Sequence, residues 1–237
     1  MAEMEIDNLH FTNPSMRSFT LEISATINPE TDIGWTSILT VSLFLRRRLI
    51  GEKVFRNTYI MHKDKNEARI KLQGFEILDM MAFRAFMQNL MPKSGIVRQK
   101  QNGTSITATL DKDESGHNLS IAIDLNDISS VSIANVNCQL TDQKVTLGFD
   151  VVSWNPVELA FGYCKFSLEK DGIFLASLEG HFDILPDNCN ITLTGDCDAT
   201  SVNLFGNATL KGVQAFDNPD NWIARAIQLF EVEVNLD

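Results

Sequence analysis

The residues best suited to proton transfer lie in two stretches with alternating apolar residues, FGYCKFSLE and LEGHFDIL. Side chains along a β-strand alternate between two faces, so the first stretch places Tyr163 and Lys165 opposite its apolar residues. The second stretch places His181 and Asp183 together in the same way. If the two strands are neighbours, these four side chains converge on one patch that can serve acid–base chemistry. The alternative is ordinary cross-strand pairing on a solvated sheet face.

A second candidate site consists of large, soft apolar side chains. Met80, Phe83 and Met87 fall within one predicted helix, and Trp154 and Trp222 lie further along the chain. Methionine adapts its shape readily, so such residues can line a pocket for a hydrophobic ligand. Residues of these types more often pack a helix against a sheet, and both interpretations stay open.

Motifs for cofactors and metals are absent from the sequence. It contains no GxSxG, Walker or GxGxxG motif, and no pair among its four histidines has metal-ligand spacing. We therefore predict no cofactor and no metal site.

The cysteines, at 138, 164, 189 and 197, also lack zinc-type spacing, which favours reduced thiols. A Cys189–Cys197 disulfide is the alternative if the chain is exported.

Charge and hydropathy restrict the partners. The net charge is −11, which disfavours binding to nucleic-acid phosphates, and the basic residues cluster only at Arg46–Arg48. Those three arginines can bind a carboxylate or phosphate, or their charge can keep an exposed strand edge soluble. The sequence shows neither a signal peptide nor 18 consecutive apolar residues, so we expect a cytoplasmic protein without a transmembrane segment.

Period-two alternation dominates the chain and predicts antiparallel sheets. Stretches such as NLSIAIDLN, NEARIKLQG and TSITATLD alternate apolar and polar residues between turn-forming Gly, Asn, Asp and Pro. Two segments depart from this pattern. One predicted helix begins at Asp79 and stops at Pro92, and a second occupies NPDNWIARAIQLF, with Pro219 in its first turn.

The order of these elements occurs twice. Asn28-Pro29 and Asn155-Pro156 each follow one strand-like run and precede another, and a glycine turn follows, at Gly51 and Gly172. Proline has no N–H to donate, so each pair ends a strand and directs the chain across to another sheet. We therefore predict two β-sandwich domains, each with one accessory α-helix, over residues 1–126 and 127–237.

The second copy resembles a known family. Its strand ending in Asn-Pro, the KDG turn before IFLASL and the strand NITLTGD are similar to the late-embryogenesis-abundant group 2, or water-stress, domain, best over residues 145–213. ISSVSIANVNC and the helix AFRAFMQNLM also resemble the family, whereas the first copy, 18–91, is more divergent. The tandem arrangement is similar to fungal proteins with two such domains. The resemblance implies immunoglobulin- or fibronectin-like antiparallel sandwiches and no catalytic residues, and it suggests stress protection or binding of apolar molecules.

Two functions follow as expectations. The first is a binding protein for a hydrophobic small molecule, a lipid or a partner protein. The alternative is a cofactor-free cyclase or isomerase of fungal secondary metabolism, acting on a polyketide or terpenoid intermediate. Such an enzyme works mainly by holding its substrate in a reactive conformation, so it needs no recognisable motif.

Overall fold

The computed structural model describes residues 4–27, 35–59, 61–63, 67–94, 104–111, 118–124, 131–141, 143–153, 156–197, 205–217 and 219–237. Within these ranges the fold is mainly β, as predicted, with sixteen strands and two short α-helices. The strands are β1 (Met4–Thr12), β2 (Ser18–Ile27), β3 (Trp35–Leu45), β4 (Arg48–Tyr59), β5 (Met61–Lys63), β6 (Glu67–Glu76), β7 (Lys93–Ser94), β8 (Thr104–Asp111), β9 (Asn118–Asp124), β10 (Ser132–Thr141), β11 (Lys144–Val152), β12 (Val157–Lys170), β13 (Ile173–Ile184), β14 (Cys189–Cys197), β15 (Asn207–Ala215) and β16 (Glu231–Asn235). The helices are α1 (Met80–Leu90) and α2 (Trp222–Ala226).

The chain forms two compact units that are not continuous in sequence. Unit 1 contains Met1–Phe86, Lys100–Ile128 and Pro156–Glu158, and unit 2 contains Met87–Gln99, Ser129–Asn155 and Leu159–Asp237. The division of the sequence into 1–126 and 127–237 stays a prediction.

The strands of unit 1 that the structure describes form two hydrogen-bonded sheets. In one, the antiparallel order is β5-β6-β2-β1, and the short segment Val157–Glu158 pairs with β1 in parallel. In the other, the antiparallel order is β4-β3-β8-β9. Because β2 and β3 belong to different sheets, the chain crosses between sheets after β2, as the Asn-Pro interpretation predicts. Asn28-Pro29 itself lies outside the described residues.

The core of unit 1 follows the alternation in its sequence. Phe19, Leu21 and Ile23 of β2 are buried, and Leu72 and Ile70 of β6 lie opposite the latter two. Burying one such side chain stabilises the fold by about 1.5–3 kcal/mol relative to leaving it in water. Alternate placement on one face therefore accounts for the strand conformation of both segments.

Helix α1 begins where the sequence predicts. The Asp79 Oδ1 accepts hydrogen bonds from the backbone N–H groups of Met81 (3.0 Å) and Ala82 (2.9 Å), which are among the donors that a helix start leaves unpaired. Asp79 also forms an ion pair with Arg48. These interactions hold the pKa of the Asp79 carboxyl below its usual value, and the bond from Ala82 is the largest cause.

The first predicted glycine turn is wrong in position. Chain reversal between β3 and β4 occurs at Arg46 and Arg47, whereas Gly51 lies within β4. A Cβ at Gly51 would overlap the carbonyl oxygen of Glu76 in β6. The glycine is therefore required by close approach of another strand. In the second copy the turn does include Gly172, with φ of +77°.

The described strands of unit 2 form one hydrogen-bonded sheet. Its order is β16-β15-β12-β13-β14-β11-β10-β7, antiparallel except for the pairing of β7 with β10. The strands on either side of Asn155-Pro156, β11 and β12, both belong to this sheet. The predicted crossing to a separate sheet is therefore wrong for this copy, because β13 and β14 connect the two strands by hydrogen bonds.

Four phenylalanines form the centre of unit 2. Phe182 lies with its ring centroid 5.5 Å from that of Phe161, 5.6 Å from that of Phe166 and 5.1 Å from that of Phe230. All four are essentially inaccessible to water. Edge-to-face and tilted ring contacts of this kind add about 0.5–1.5 kcal/mol per pair to the burial itself.

Helix α2 begins later than predicted. Asn221 is the N-cap, with its Oδ1 accepting a hydrogen bond of 2.8 Å from the Ala224 N–H, so Pro219 lies in the preceding turn and not in the helix. A 3₁₀ turn, Ile227–Leu229, follows directly. None of the helices within the described ranges is long and apolar enough to cross a membrane.

Candidate functional site on the β12–β13 hairpin

Tyr163 and His181 form the centre of the predicted acid–base patch. They are directly opposite each other on β12 and β13, and their ring centroids are 5.6 Å apart in an edge-on arrangement with an interplanar angle of 78°. Tyr163 is 40% exposed, and His181 is exposed as well. The two side chains therefore meet on an open face of the sheet.

Lys165 lies two cross-strand pairs along the same hairpin, beyond the pair of Cys164 and Gly180. Its direct neighbour on β13 is Glu179, and its Nζ is 3.9 Å from the Glu179 Oε1. Both side chains are 38% exposed, so the ion pair is weak and screened by water. Lys165 thus shares the face of Tyr163 and His181 but forms a cross-strand pair with a different residue.

Asp183 stabilises a bulge in β12 by accepting backbone hydrogen bonds. β12 bulges between Ala160 and Tyr163, and the Asp183 Oδ1 accepts hydrogen bonds from the backbone N–H groups of Phe161 (2.8 Å) and Gly162 (3.0 Å). A bulge leaves backbone donors without ladder partners, and a carboxylate satisfies them well. Gly162 has φ of +72°, a conformation that glycine adopts without strain.

Sequence reasoning missed two residues that complete this surface, Phe216 and Asp217. The Phe216 ring centroid is 5.8 Å from that of Tyr163, its backbone N–H donates to the Tyr163 carbonyl at 2.9 Å, and its side chain is 41% exposed. The Asp217 carboxylate lies where a Cβ on Gly162 would be. A glycine within an alternating strand often marks a bulge or a close approach, which was the available signal.

We refer to Tyr163, His181, Phe216 and the carboxylates of Asp183 and Asp217 as the aromatic–acidic surface. Beneath it lies Cys164, fully buried, with its Sγ 3.7 Å from the Phe161 carbonyl oxygen. Burial, reinforced by the two carboxylates, raises the pKa of the Cys164 thiol to about 12. Since the thiolate is the reactive form, this thiol is a poor nucleophile near neutral pH.

Four of the five residues predicted to line an apolar pocket are described by the structure, and they differ in exposure. Phe83 and Met87 of α1 and Trp222 of α2 are buried at 2%, 1% and 3% exposure, whereas Met80 is half-buried. Trp154 lies outside the described residues. The Phe83 ring stacks on that of Phe19 at 5.9 Å, as expected for helix-to-sheet packing. A pocket formed by these residues stays a prediction.

Cys189 and Cys197 are too far apart to form the alternative disulfide. All four are free thiols, and Cys189 and Cys197 occupy the two ends of the extended strand β14, about 26 Å apart at roughly 3.3 Å per residue. A disulfide requires Cα atoms within about 7 Å, so this pair cannot form one. Across the described ranges, no group of three or more His, Cys, Asp or Glu residues is arranged to hold a metal ion.

Comparison with known proteins gives little further guidance. No protein-family model matches the chain, and no curated protein matches it. Among solved structures, the chain is similar to a DUF4785 family protein from Legionella pneumophila, with 12% sequence identity and a TM-score of 0.26. The match covers 99% of this chain and 56% of that one, so this chain spans little more than half the length of that protein.

Proposed function

We propose that this protein is a non-catalytic binding protein that holds an apolar small molecule on its aromatic–acidic surface. The observation that carries the proposal is the contact between Tyr163 and Phe216, two rings that stay 40% and 41% exposed. Aromatic side chains supply large, stiff contact areas, and they are enriched at binding surfaces for that reason.

The charges around the rings determine which apolar molecules suit the surface. The carboxylates of Asp183 and Asp217 both lie beside Gly162, and within the described residues no arginine or lysine forms an ion pair with either. A negatively charged ligand would be repelled there, whereas a neutral or cationic one would not. Cations also interact favourably with aromatic ring faces.

Catalysis receives less support from the same geometry. Acid–base chemistry in a cyclase or isomerase requires groups aimed at a substrate. The Asp183 Oδ1 already accepts two backbone hydrogen bonds, and Lys165 is paired with Glu179. Asp183 is therefore held by the bulge and Lys165 is weakly paired, so we propose binding ahead of cyclisation.

We also propose that the chain is a tandem late-embryogenesis-abundant group 2 protein with two immunoglobulin-like sandwiches. The resemblance over 145–213 supports this, since the KDG segment forms the turn before β13 and NITLTGD falls within β14. The two sheets of unit 1 are also compatible with a sandwich. Its stress-protective role and partner proteins remain part of this proposal.

The test uses two fluorescent apolar probes, neutral Nile red and the anionic anilinonaphthalene sulfonate. We expect Nile red to bind and the anionic probe to bind more weakly, and a Tyr163→Ser/Phe216→Ser variant to lose most Nile red binding. Phe174→Ser is the matched control, because Phe174 is 42% exposed on the same hairpin but is not part of the surface. Equal loss in Phe174→Ser, or unchanged binding in the double variant, would overturn the proposal.

A further inference from the structure

A second surface, in unit 1, combines arginines with exposed apolar side chains. It surrounds the ion pair between Arg48, whose side chain is 59% exposed, and Asp79. We call it the arginine–apolar surface, and it consists of Arg17, Arg46, Arg47, Arg48 and Arg84 with Met16, Leu78 and Met81.

Backbone hydrogen bonds hold three separate segments together at this surface. The Ile77 N–H donates to the Arg17 carbonyl at 2.8 Å, which places the β1–β2 loop beside the start of α1. The N–H groups of Leu78 and Asp79 both donate to the Ile50 carbonyl, at 2.9 and 3.0 Å, which places the β3–β4 hairpin there too. The arrangement is therefore fixed by the fold.

The apolar members are unusually exposed for their size. Met81 is 76% exposed, Leu78 61% and Met16 60%. Met81 and Arg84 are three residues apart on α1, so they lie next to each other on its outer face. Large apolar side chains interspersed with arginines are characteristic of proteins that insert shallowly into a lipid surface.

The hairpin turn shows a local conflict between sequence and conformation. The two-residue loop consists of Arg46 and Arg47, with φ of +48° and +68°. A turn with positive φ at both positions favours Asn-Gly, whereas a side chain such as arginine is strained there. Strain of this kind often accompanies a functional demand on the residue, here the presentation of two cations at the tip.

We infer that the arginine–apolar surface docks onto an anionic lipid membrane. The whole chain carries a net charge of −11, yet the three segments joined here carry five exposed arginines against the carboxylates of Asp79 and the neighbouring Glu76. Guanidinium groups bind phosphate oxygens in a forked geometry, and anionic headgroups attract such clusters. The three exposed apolar side chains then enter the headgroup layer. This inference is independent of the function proposed for unit 2.

The test is flotation with vesicles of phosphatidylcholine alone or with about 30% phosphatidylserine, at about 0.1 M and 0.5 M salt. We expect binding only to the anionic vesicles and a clear decrease at high salt. An Arg46→Asn/Arg47→Gly variant should bind about tenfold or more weakly. Because Asn-Gly suits this turn, the variant should fold at least as stably as the original chain, so misfolding would not account for the loss.

Two control variants distinguish docking at this surface from a general effect of charge. Lys144→Gln/Arg225→Gln removes the same charge from exposed positions of unit 2 and should leave flotation unchanged. Leu78→Ser/Met81→Gln should weaken flotation while keeping all five arginines. Equal binding to uncharged vesicles, an equal loss in the unit 2 variant, or no flotation would overturn the inference. Binding of a poly-glutamate peptide to this surface, without binding of vesicles, would indicate an acidic protein partner and would also overturn the inference.

Discussion

Replacement of Asp183 tests whether this residue supports the fold or chemistry. In Asp183→Ala, the N–H groups of Phe161 and Gly162 lose the acceptor that now lies 2.8 and 3.0 Å away. A hydrogen bond to a charged group contributes about 1.5–3 kcal/mol when well buried, and these two are part-buried. We therefore expect the free energy of unfolding to fall by about 2–3 kcal/mol in total. Asp183→Asn keeps an acceptor oxygen and should lose about half as much.

The measurement is urea unfolding, combined with hydrogen exchange of the Phe161 and Gly162 amides. Both amides should lose protection in Asp183→Ala and keep most of it in Asp183→Asn. Glu179→Ala is the matched control on the same strand, since its exposed ion pair with Lys165 should contribute less than about 1 kcal/mol. If Asp183→Ala proved no more destabilising than Glu179→Ala, with both amides still protected, the structural role given to Asp183 would be refuted.

Three further predictions concern unit 2. Gly195→Ala should lower the free energy of unfolding by more than about 2 kcal/mol, measured in urea, because its Cβ would overlap the backbone of β13. In the control Gly148→Ala the nearest atom to the new Cβ is 3.9 Å away, so the loss should be less than about 1 kcal/mol. Equal losses in the two variants would contradict this explanation. The hydrogen bond from Lys211 lowers the pKa of Glu169 below its ordinary value of 4.5. The ionised Glu169 therefore stabilises the folded state above pH 4.5, and this stabilisation is lost as the pH falls through the folded-state pKa. The stability gap between the original chain and Glu169→Gln should therefore narrow below pH 4.5 in acid titrations of unfolding, and a constant gap would argue against the pair. Cys164, with a pKa of about 12, should resist iodoacetamide in the native protein at neutral pH and react after unfolding. Mass spectrometry measures the modification, and alkylation of Cys164 in the native protein would contradict its burial.

The sequence alone determined those features that depend on near neighbours. The two-residue alternation in β12 and β13 correctly predicted that Cys164 and Phe182 point inward while Tyr163 and His181 point outward, because strand geometry fixes this locally. Asp79 was identified as the start of α1 for a similar reason, since an N-cap interacts with donors only two or three residues away.

Features that depend on strand register, or on the close approach of distant segments of the chain, are visible only in the tertiary structure. Gly51 looked like a turn residue, but β6 packs against it from another part of the chain. The membership of Asp183 in a catalytic group stays a prediction, whereas its two backbone hydrogen bonds form only because β12 bulges against β13. Phe216 joins Tyr163 only because β15 pairs with β12. Contacts between residues this far apart in sequence depend on the folded path of the backbone, which alternation and composition do not encode.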